Sequence, residues 1–390
     1  MAHLRIPFES QALRRHLLED VVGFWLRHSP DGSGGFNHCL ARDGQPTRPT
    51  RHLVTHARLI YSFAEAHRYA SADVQAQLAT RIHEATVYLD ERFRDGKQQG
   101  WFWSISAAGD PVEREKRAYG HTFVAYALSV AAEALADAEL QSAAQEAYSF
   151  LRDKFSDRRH GGVHEQFTRD WRLGSDYKTL STHLHVVEAT LEQCRLLGDR
   201  GPQEDLVSLC ETFLRRIYDA GLGCAGEKFA TDWSPTNEAP WVGHNLEAAW
   251  FLLQIAGLLG RPTYGETAIR LIDWSLANGW DDALGAFHYK STASGRVADP
   301  AKSWWVETEG LVALLSAWRH TGEPRYFEHA KRLWEFCDAH LIDHQFGEWF
   351  SVLTPDGART SDHKGSAWKG PYHVVQALAA CAALLERSGG

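Results

Sequence analysis

The chain lacks a surplus of positive charge. Its 390 residues hold 41 Lys and Arg against 50 Asp and Glu, which gives a formal net charge of −9. Nucleic-acid-binding domains display a basic face, and segments that bind anionic membranes carry clusters of Lys and Arg. The sequence has neither feature, so we expect no nucleic-acid partner and no binding to a membrane surface.

Long apolar runs are also missing. A membrane-spanning helix needs a run of about 18 apolar residues or more, and the sequence contains none. The opening stretch, MAHLRIPFESQALRRHLLED, is broken by charges and has no apolar part of signal-peptide length. The six cysteines form no CxxC pair, and most stand in apolar helical contexts. We therefore predict reduced, structural thiols and a cytoplasmic location.

Tryptophan and histidine, by contrast, are plentiful, with 15 Trp and 21 His. Flat indole rings fill protein cores, and they also cover the apolar faces of sugars in carbohydrate sites. The chain is 44% hydrophobic and 23% charged, which is typical of soluble globular proteins. Composition alone leaves both uses of tryptophan open.

An aspartate followed by a glycine recurs six times along the chain. The aspartates stand at a nearly constant interval and are Asp31, Asp95, Asp157, Asp219, Asp281 and Asp343. Each glycine opens a short segment with alternating apolar and polar residues around a turn, such as GAFHYKSTASGRV, which predicts a small β-hairpin. The fourth segment, GLGCAGEKFATDW, fits this pattern less well. A fixed period of this length indicates a repeat architecture.

The residues between the hairpins have the apolar period of helices, with two helices to a repeat. The helix ahead of each aspartate has one apolar face, whereas the helix after each hairpin is rich in Ala, Leu and Val all round and suits burial on both sides. Six such pairs predict an all-α fold, an (α/α)6 toroid with short β-hairpins between the helices. We expect one domain over residues 1–390, built from six repeats of about 62 residues. An open solenoid is the alternative, but neither end has a polar capping repeat.

Polar residues stand at matching places near the starts of the predicted inner helices. They follow the glycine of their repeat at similar distances and are Arg58, His121, His185, His244, Glu247, Glu309 and His373. Equivalent positions of a cyclic repeat lie at one height around its axis, so we predict that these side chains meet at one mouth of the barrel. The N-termini of the inner helices would add positive dipole ends there. A single histidine near a helix start usually caps the helix or fills the core, but burying so many polar groups without a function would cost desolvation energy each time.

Several chemistries fit such a ring. His244 and Glu247, three residues apart on one helix face, could bind a metal or could form an imidazole oriented by a carboxylate. Glu247 and Glu309 could serve as the two carboxylates of a glycoside hydrolase. The predominance of histidine, whose pKa lies near neutrality, favours reversible proton transfer beside a carbonyl. A sugar-binding protein without catalytic activity is a third possibility.

Six short motifs stand in order along nearly the whole chain. They are RHLVTHARLIYSFA (51–64), YGHTFVAYALS (119–129), STHLHVVEA (181–189), GHNLEAAW (243–250), WWVETEGLVALL (304–315) and WKGPYH (368–373). Together they resemble the N-acylglucosamine 2-epimerase superfamily, which contains sugar 2-epimerases and aldose–ketose isomerases. The resemblance implies an (α/α)6 barrel, an isomerase that acts on a sugar, and no metal or organic cofactor.

The resemblance also implies a role for each site residue. His244 and His373 would transfer protons on opposite sides of the reacting carbons, with Glu247 orienting His244. His185 would assist ring opening or hold a hydroxyl, and Arg58 would bind the carbonyl-side oxygens and stabilise an enediolate. The residues implied to bind the substrate are Arg58, Tyr119, His121, Trp305, Glu309 and Trp368.

Within the superfamily, TRHLV at 50–54 is most similar to the branch of mannose isomerases and mannose 2-epimerases. Ser181 and His121 stand where epimerases of disaccharides often carry Asn and Gln. We therefore expect an isomerase that interconverts D-mannose and D-fructose, with a monosaccharide as its substrate and D-lyxose and D-xylulose as a further pair. The alternative is a 2-epimerase acting on D-mannose and D-glucose or on cellobiose. A monomer and a homodimer are equally compatible with the sequence.

Overall fold

The computed structural model describes residues 5–386, except for the side chain of Asp199. Twelve helices in these residues alternate between an outer and an inner layer, and we number them α1 to α12 in chain order. The outer helices are α1 (Ser10–Arg15, His16–Val22 and Gly23–His28, the middle part π-helical), α3 (Ala72–Tyr88, extended by Leu89–Phe93), α5 (Ala138–Phe155), α7 (Gln203–Thr212, extended by Phe213–Ile217), α9 (Pro262–Gly279) and α11 (Pro324–Phe336, extended by Cys337–Leu341). The inner helices are α2 (Leu53–His67), α4 (Ala118–Leu135), α6 (Leu180–Leu197), α8 (Val242–Leu259), α10 (Trp304–Thr321) and α12 (Tyr372–Glu386), and a short 3₁₀ turn (Gly198–Arg200) follows α6.

The two layers differ in burial as their sequence patterns predict. Every residue from 120 to 132 in the inner helix α4 is buried. The outer helix α11 buries Tyr326, Ala330 and Leu333, which are spaced by one helical turn, and exposes most residues between them. The hydrophobic core lies between the layers. Among the described helices, none combines the length and the apolarity needed to cross a membrane.

The ring of inner helices closes on itself. The last inner helix, α12, packs against the first, α2. Thr55 in α2 donates a hydrogen bond to the carbonyl of Ala367 just ahead of α12, at 2.9 Å. The backbone N–H of Lys364 donates to the carbonyl of Leu40 in the first repeat, at 2.9 Å. The fold is thus the (α/α)6 toroid that the sequence predicts, and an open solenoid is excluded.

Short antiparallel strands lie at the end of the toroid where the inner helices begin. The strands are β1 (Arg51–His52), β2 (Ser104–Ile105), β3 (Pro111–Glu113), β4 (Lys116–Arg117), β5 (Gln166–Phe167), β6 (Tyr177–Thr179), β7 (Tyr218–Asp219), β8 (Cys224–Ala225), β9 (Lys228–Ala230), β10 (Trp280–Asp281), β11 (Ala286–Phe287), β12 (Lys290–Ser291), β13 (Val297–Asp299), β14 (Lys302–Ser303) and β15 (Val352–Leu353). One sheet has the order β1-β2-β3, and the other strands form the pairs β4-β5, β6-β9, β7-β8, β10-β11, β12-β13 and β14-β15.

Several of these pairs join neighbouring repeats. The strands β1, β4, β6 and β14 each lead into an inner helix and pair with a strand of the following repeat. In β6 and β9, for example, Lys178 lies opposite Phe229. The fourth segment, which fits the sequence pattern least well, folds like the others, since Asp219 pairs with Cys224 and Phe229 bridges to Pro235. The strands therefore hold the starts of the inner helices in register around the axis.

The repeated aspartate first builds a turn and then anchors the next inner helix. Asp157 Oδ1 accepts hydrogen bonds from the backbone N–H groups of Arg159 and His160, both at 3.0 Å. Its Oδ2 accepts a hydrogen bond from Nζ of Lys178, at 2.7 Å. Lys178 is fully buried and lies two residues ahead of α6. Burial raises the pKa of Asp157, but these hydrogen bonds outweigh it and lower the pKa to about 2. Gly161 completes the turn with φ +81°, a conformation that favours glycine.

The same pair recurs at the same sequence spacing in most repeats. The equivalent pairs are Asp95–Lys116, Asp281–Lys302 and Asp343–Lys364. In the first repeat, Arg51 takes the place of the lysine and pairs with Asp31 at 2.7 Å. The fourth repeat has Pro240 at the lysine position, so Asp219 builds its turn without this anchor.

Candidate active site

A cavity of about 750 Å³ opens at the end of the toroid where the inner helices begin. Its volume lies in the range of small-molecule sites. The polar side chains Arg58, His185, His244, Glu247 and His373 line it, from near the starts of four inner helices. The free N–H groups of the inner-helix N-termini are at this end as well, which makes the cavity favourable for negative charge.

His373 is held by a glutamate of the neighbouring inner helix. Its Nδ1 lies 2.7 Å from Oε1 of Glu309, and the other carboxylate oxygen accepts a hydrogen bond from Nε1 of Trp250, at 2.6 Å. Burial and the nearby positive charge of Arg58 keep the pKa of His373 well below its usual value. The imidazole is therefore neutral near pH 7. Burial also raises the pKa of Glu309 to about 8, but each of its oxygens faces a ring nitrogen, whereas the oxygens of Glu247 have no hydrogen-bond donor in the described chain. We therefore assign the proton of this pair of carboxyl groups to Glu247 and the hydrogen of His373 to Nδ1, with the lone pair on Nε2. Glu309 does not line the cavity, so it orients His373 and does not shape the sugar site as the resemblance implies.

His244 is held by a different residue from the one that the sequence suggests. Its Nδ1 lies 2.8 Å from Oε2 of Glu227, in the hairpin of the fourth repeat, and not against Glu247. The imidazole stacks on Trp241, with ring centroids 4.9 Å apart and planes 8° apart. Glu227 is missing from the sequence predictions, although the repeat contains a signal for it. Glu165, one repeat earlier, occupies the same place and accepts a hydrogen bond from the hydroxyl of Thr182, the counterpart of His244.

His185 forms the third imidazole–carboxylate pair. Its Nδ1 lies 3.0 Å from Oε2 of Glu188, one turn further along α6. Burial lowers the pKa of His185 to about 4, against the opposing effect of Glu188, so the ring is neutral near pH 7. Its Nε2 is 4.0 Å from Oε1 of Glu247. The sequence suggests a glutamate three residues after a histidine as its partner at His244 and Glu247. The structure shows this arrangement at His185 and Glu188 instead.

Glu247 lies fully buried at the floor of the cavity with both carboxylate oxygens unpartnered in the described chain. Burial, and then the neighbouring Glu309 and Glu188, raise its pKa well above the usual value, so this carboxyl carries a proton near neutral pH. Donor atoms of Glu247, Glu309 and His373 lie within 4.8 Å of one another and could together hold a metal ion. A metal would compete for Glu309, because each of its oxygens already accepts a hydrogen bond.

Arg58 brings a positive charge to the cavity. Its Nη2 donates to the hydroxyl of Tyr119 at 2.9 Å, and its Nη1 donates to the carbonyl of Trp368 at 3.3 Å. The guanidinium lies 4.3 Å from the ring centroid of Phe123 and 4.8 Å from that of Tyr372. Within residues 5–386 it forms no ion pair with a carboxylate, so its charge is available to an anionic oxygen of a bound molecule.

Five tryptophans line the cavity, and the two expected from the sequence, Trp305 and Trp368, are among them. Trp305 lies between two histidines, with ring centroids 4.9 Å from His244 and 5.9 Å from His373. Trp368 stands at the mouth, with 53% of its surface exposed, and its ring contacts Tyr119 at 6.0 Å. Flat rings in these positions suit the apolar faces of a sugar.

His121 is not brought to the cavity, and the expectation that it belongs to the ring is wrong. It is fully buried, and its Nδ1 bonds to the carbonyl of Arg117 at 2.8 Å while its Nε2 accepts from the backbone N–H of Trp101 at 3.1 Å. The side chains that accept a hydrogen bond from a hairpin N–H in the same way are His183, Asn245 and Glu307. The ring position of the second repeat is occupied by Phe123, which stands in its repeat where Arg58 stands in the first.

These elements of the fold and the site have counterparts among known proteins. A model of the N-acylglucosamine 2-epimerase (GlcNAc 2-epimerase) family matches residues 34–377. The chain belongs to this family.

Members with similar sequences act on different sugars. The cellobiose 2-epimerase of Bacteroides fragilis is 26% identical over 93% of this chain and 96% of its own length. The D-mannose isomerase of Marinomonas mediterranea is 27% identical over 95% of this chain and 96% of its own. The solved structure of the cellobiose 2-epimerase from Spirochaeta thermophila superposes with a TM-score of 0.88 at 30% identity and covers 97% of both chains. The protein is accordingly an enzyme of the sugar epimerase and isomerase class.

The geometry of this member of the GlcNAc 2-epimerase family argues against the glycoside hydrolase alternative. A hydrolase needs two carboxyl groups that both reach the glycosidic bond. Glu247 faces the cavity, but Glu309 is fixed behind His373 and does not line it. The pair that the sequence analysis considered for hydrolysis therefore cannot flank a bound glycoside.

Proposed function

We propose that this enzyme is an aldose–ketose isomerase that interconverts D-mannose and D-fructose. The observation that carries the proposal is a set of three buried imidazoles around one cavity, each with Nδ1 bonded to a glutamate. Such pairs fix the tautomer and leave Nε2 to exchange protons with a substrate. The choice of mannose is supported by the TRHLV motif and by the relationship to the Marinomonas D-mannose isomerase.

His373 is the base for the carbon-bound proton in this proposal. In the open-chain aldose, its neutral Nε2 takes the proton from C2, and the electron pair of the broken C–H bond forms the C1–C2 double bond of an enediolate. The imidazolium then returns the proton to C1 on the same face. Glu309 accepts the Nδ1 hydrogen throughout and stabilises the transient positive charge.

Glu247 moves the protons between the two oxygens. Conversion to the ketose requires O1 to gain a proton and O2 to lose one. The protonated carboxyl of Glu247 lies beside His373 and 4.0 Å from Nε2 of His185, and neither of its oxygens has a hydrogen-bond partner in the described chain. One of its oxygens gives a proton to O1 and the other accepts the proton of O2, so the carboxyl ends the cycle protonated as it began.

Arg58 stabilises the negative charge that develops on the enediolate oxygens. Arg58 is buried, with 3% of the residue exposed, and its guanidinium donates to Tyr119, so little reorganisation is needed when charge develops. A preorganised donor of this kind typically contributes about 10²- to 10³-fold to the rate. His185, whose Nε2 faces Glu247, is placed to exchange a proton with a hydroxyl during ring opening.

A 2-epimerase is the second candidate, and two observations favour it. His244 lines the cavity on another wall, so its Nε2 could return the proton to C2 from the opposite face. The cavity of about 750 Å³ also has room beyond a single hexose, and cellobiose 2-epimerases are among the relatives.

The test is to incubate the protein with D-mannose in D2O containing EDTA and to follow the products by NMR. Fructose carrying deuterium at C1 is the expected result, and glucose carrying deuterium at C2 would identify the 2-epimerase. Absence of exchange with mannose, glucose, lyxose and cellobiose would overturn the proposal. Activity abolished by EDTA would assign a metal to the cluster at Glu247.

A matched pair of variants tests the role of His373. His373→Asn should abolish the exchange while leaving the circular dichroism spectrum and the melting temperature close to the wild type. His183→Asn is the control, because His183 is also a buried inner-helix histidine but bonds to the backbone N–H of Val163 and does not line the cavity. Equal activity of the two variants would contradict the assignment of the base.

A further inference from the structure

Glu188 collects hydrogen bonds from three different side chains. His185 Nδ1 lies 3.0 Å from its Oε2, the hydroxyl of Tyr372 lies 2.7 Å from both oxygens, and Nε2 of Gln376 donates to Oε1 at 2.6 Å. The carboxylate is 2% exposed and does not line the active-site cavity. In the described chain it pairs with no lysine or arginine.

These partners determine the charge of Glu188 and the tautomer of its histidine. Nε2 of Gln376 can only donate, whereas the hydroxyl of Tyr372 can donate or accept. Burial raises the pKa of Tyr372 well above its ordinary value, so the hydroxyl keeps its hydrogen, and it lies at the same short distance from both oxygens of Glu188, as expected for a donor shared by an ionised carboxylate. With Glu188 as the acceptor from all three side chains, His185 carries its hydrogen on Nδ1, and its lone pair on Nε2 is left facing Glu247.

We propose that Glu188 is a positioning residue, which fixes His185 as the tautomer with hydrogen on Nδ1 and also holds the start of α12 in place through Tyr372. The two helices that it joins carry His185 and His373, and they are far apart along the chain. The kinetic part of this inference rests on the proposed function, whereas the assignment of the tautomer does not.

A second cavity supplies the matched control. It has a volume of about 260 Å³ and lies toward the C-terminal ends of the inner helices, where Glu188, Glu192, Arg195 and Gln376 are among its lining residues. Glu192 is buried in α6 one turn beyond Glu188 and pairs with Arg195. It has no hydrogen bond to His185, so Glu192→Gln removes a similar carboxylate without disturbing the imidazole.

The experiment compares Glu188→Gln with Glu192→Gln by steady-state kinetics and by ¹⁵N NMR of histidine-labelled protein. The signal of His185 is identified by its loss in His185→Gln. In Glu188→Gln we expect kcat for mannose to fall about 10- to 100-fold, with KM within about twofold, because a glutamine can present its NH2 to Nδ1 and stabilise the other tautomer. The ¹⁵N shifts of His185 should move from the Nδ1–H pattern toward the Nε2–H pattern. Glu192→Gln should change neither readout.

The outcomes distinguish a failure of this proposal from a failure of the proposed function. A wild-type spectrum with hydrogen on Nε2 of His185 overturns the inference, and this readout does not depend on Glu188→Gln being folded, since only His185→Gln is needed to assign the signal. Unchanged kcat and tautomer in Glu188→Gln, with a lower melting temperature only, would leave Glu188 as a clamp between helices and also overturn it. An enzyme inactive on every sugar but with the expected spectra would refute the proposed function and support the tautomer assignment.

Discussion

Replacing Glu309 by glutamine should show whether this carboxylate orients His373 for catalysis or only stabilises the fold. The carboxylate accepts two N–H groups, from His373 at one oxygen and from Trp250 at the other. A glutamine has one acceptor oxygen and one NH2 group, so it can serve only one of the two donors. When its oxygen faces Trp250, its NH2 faces Nδ1 and stabilises the tautomer with hydrogen on Nε2, which cannot act as a base.

The expected loss of activity follows from the fraction of His373 that keeps its hydrogen on Nδ1 and can act as the base. Partners that orient a functional imidazole typically contribute about 10- to 100-fold, and this corresponds to about 1.4 to 2.7 kcal/mol in activation free energy. Initial rates of fructose formation from mannose at saturating substrate measure the effect as kcat. Urea unfolding of the same variant measures its stability.

Glu307→Gln is the control for this prediction. Glu307 lies two residues earlier in α10 and is fully buried. Among the described residues it accepts a hydrogen bond only from the backbone N–H of Phe287, at 2.9 Å. The carbonyl oxygen of a glutamine can take over that single bond, so kcat should stay within about twofold of the wild type. If Glu309→Gln retains the kcat of Glu307→Gln, the carboxylate does not orient His373 and the reasoning fails.

Three further predictions follow from other contacts. Glu227→Gln removes the carboxylate that holds His244 and leaves the proposed base His373 unchanged. It should therefore lower the yield of glucose relative to fructose in the NMR assay. An unchanged ratio of the two products would show that His244 takes no part in epimerisation. Asp157→Asn should lower the free energy of unfolding near pH 7 by about 2 kcal/mol, because the pKa of Asp157 is about 2 in the folded state against 3.8 ordinarily. This stabilisation is nearly complete above about pH 5 and is lost as the pH falls through 3.8 toward 2. Urea titrations across that range should show a smaller effect for Asp219→Asn, because Asp219 has no lysine partner in the described chain. Trp368→Ala should raise KM several-fold with an unchanged melting temperature, since Trp368 is 53% exposed at the mouth. An equal fall in kcat would indicate a role in the chemical step.

The toroid is predictable because two independent periods coincide in the sequence. The nearly constant spacing of the aspartates gives the number of repeats, and the apolar period between them gives two helices to each repeat. Constant spacing matters physically, because each Asp–Lys pair, such as Asp157–Lys178, ties a hairpin turn to the start of the next inner helix. The closure between Thr55 and Ala367 depends on packing over the whole ring, and no local pattern contains it.

The site is predictable in position but not in its pairings. Most of the site residues expected from the sequence do line the cavity, because the repeat register places them at one height. His121 is assigned wrongly because its distance along the chain from the glycine of its repeat is shorter than that of the true ring position, and the two distances are treated as equal. It stands two residues before the ring position at Phe123, and two residues along a helix bring a side chain to roughly the opposite face. Glu227 is missed because the alternation of a hairpin does not tell which loop side chain reaches a neighbouring helix.

The repeat nevertheless contains a rule for the remaining contacts. Residues near the starts of adjacent inner helices become neighbours in space: His185 is 4.0 Å from Glu247, one repeat later, and Glu309 is 2.7 Å from His373 on the next inner helix. The protonation of each member therefore depends on the member before it and the member after it. It follows that substitutions of adjacent ring residues should not be additive, and that the double variant of Glu247 and Glu309 should lose less activity than the product of the single losses.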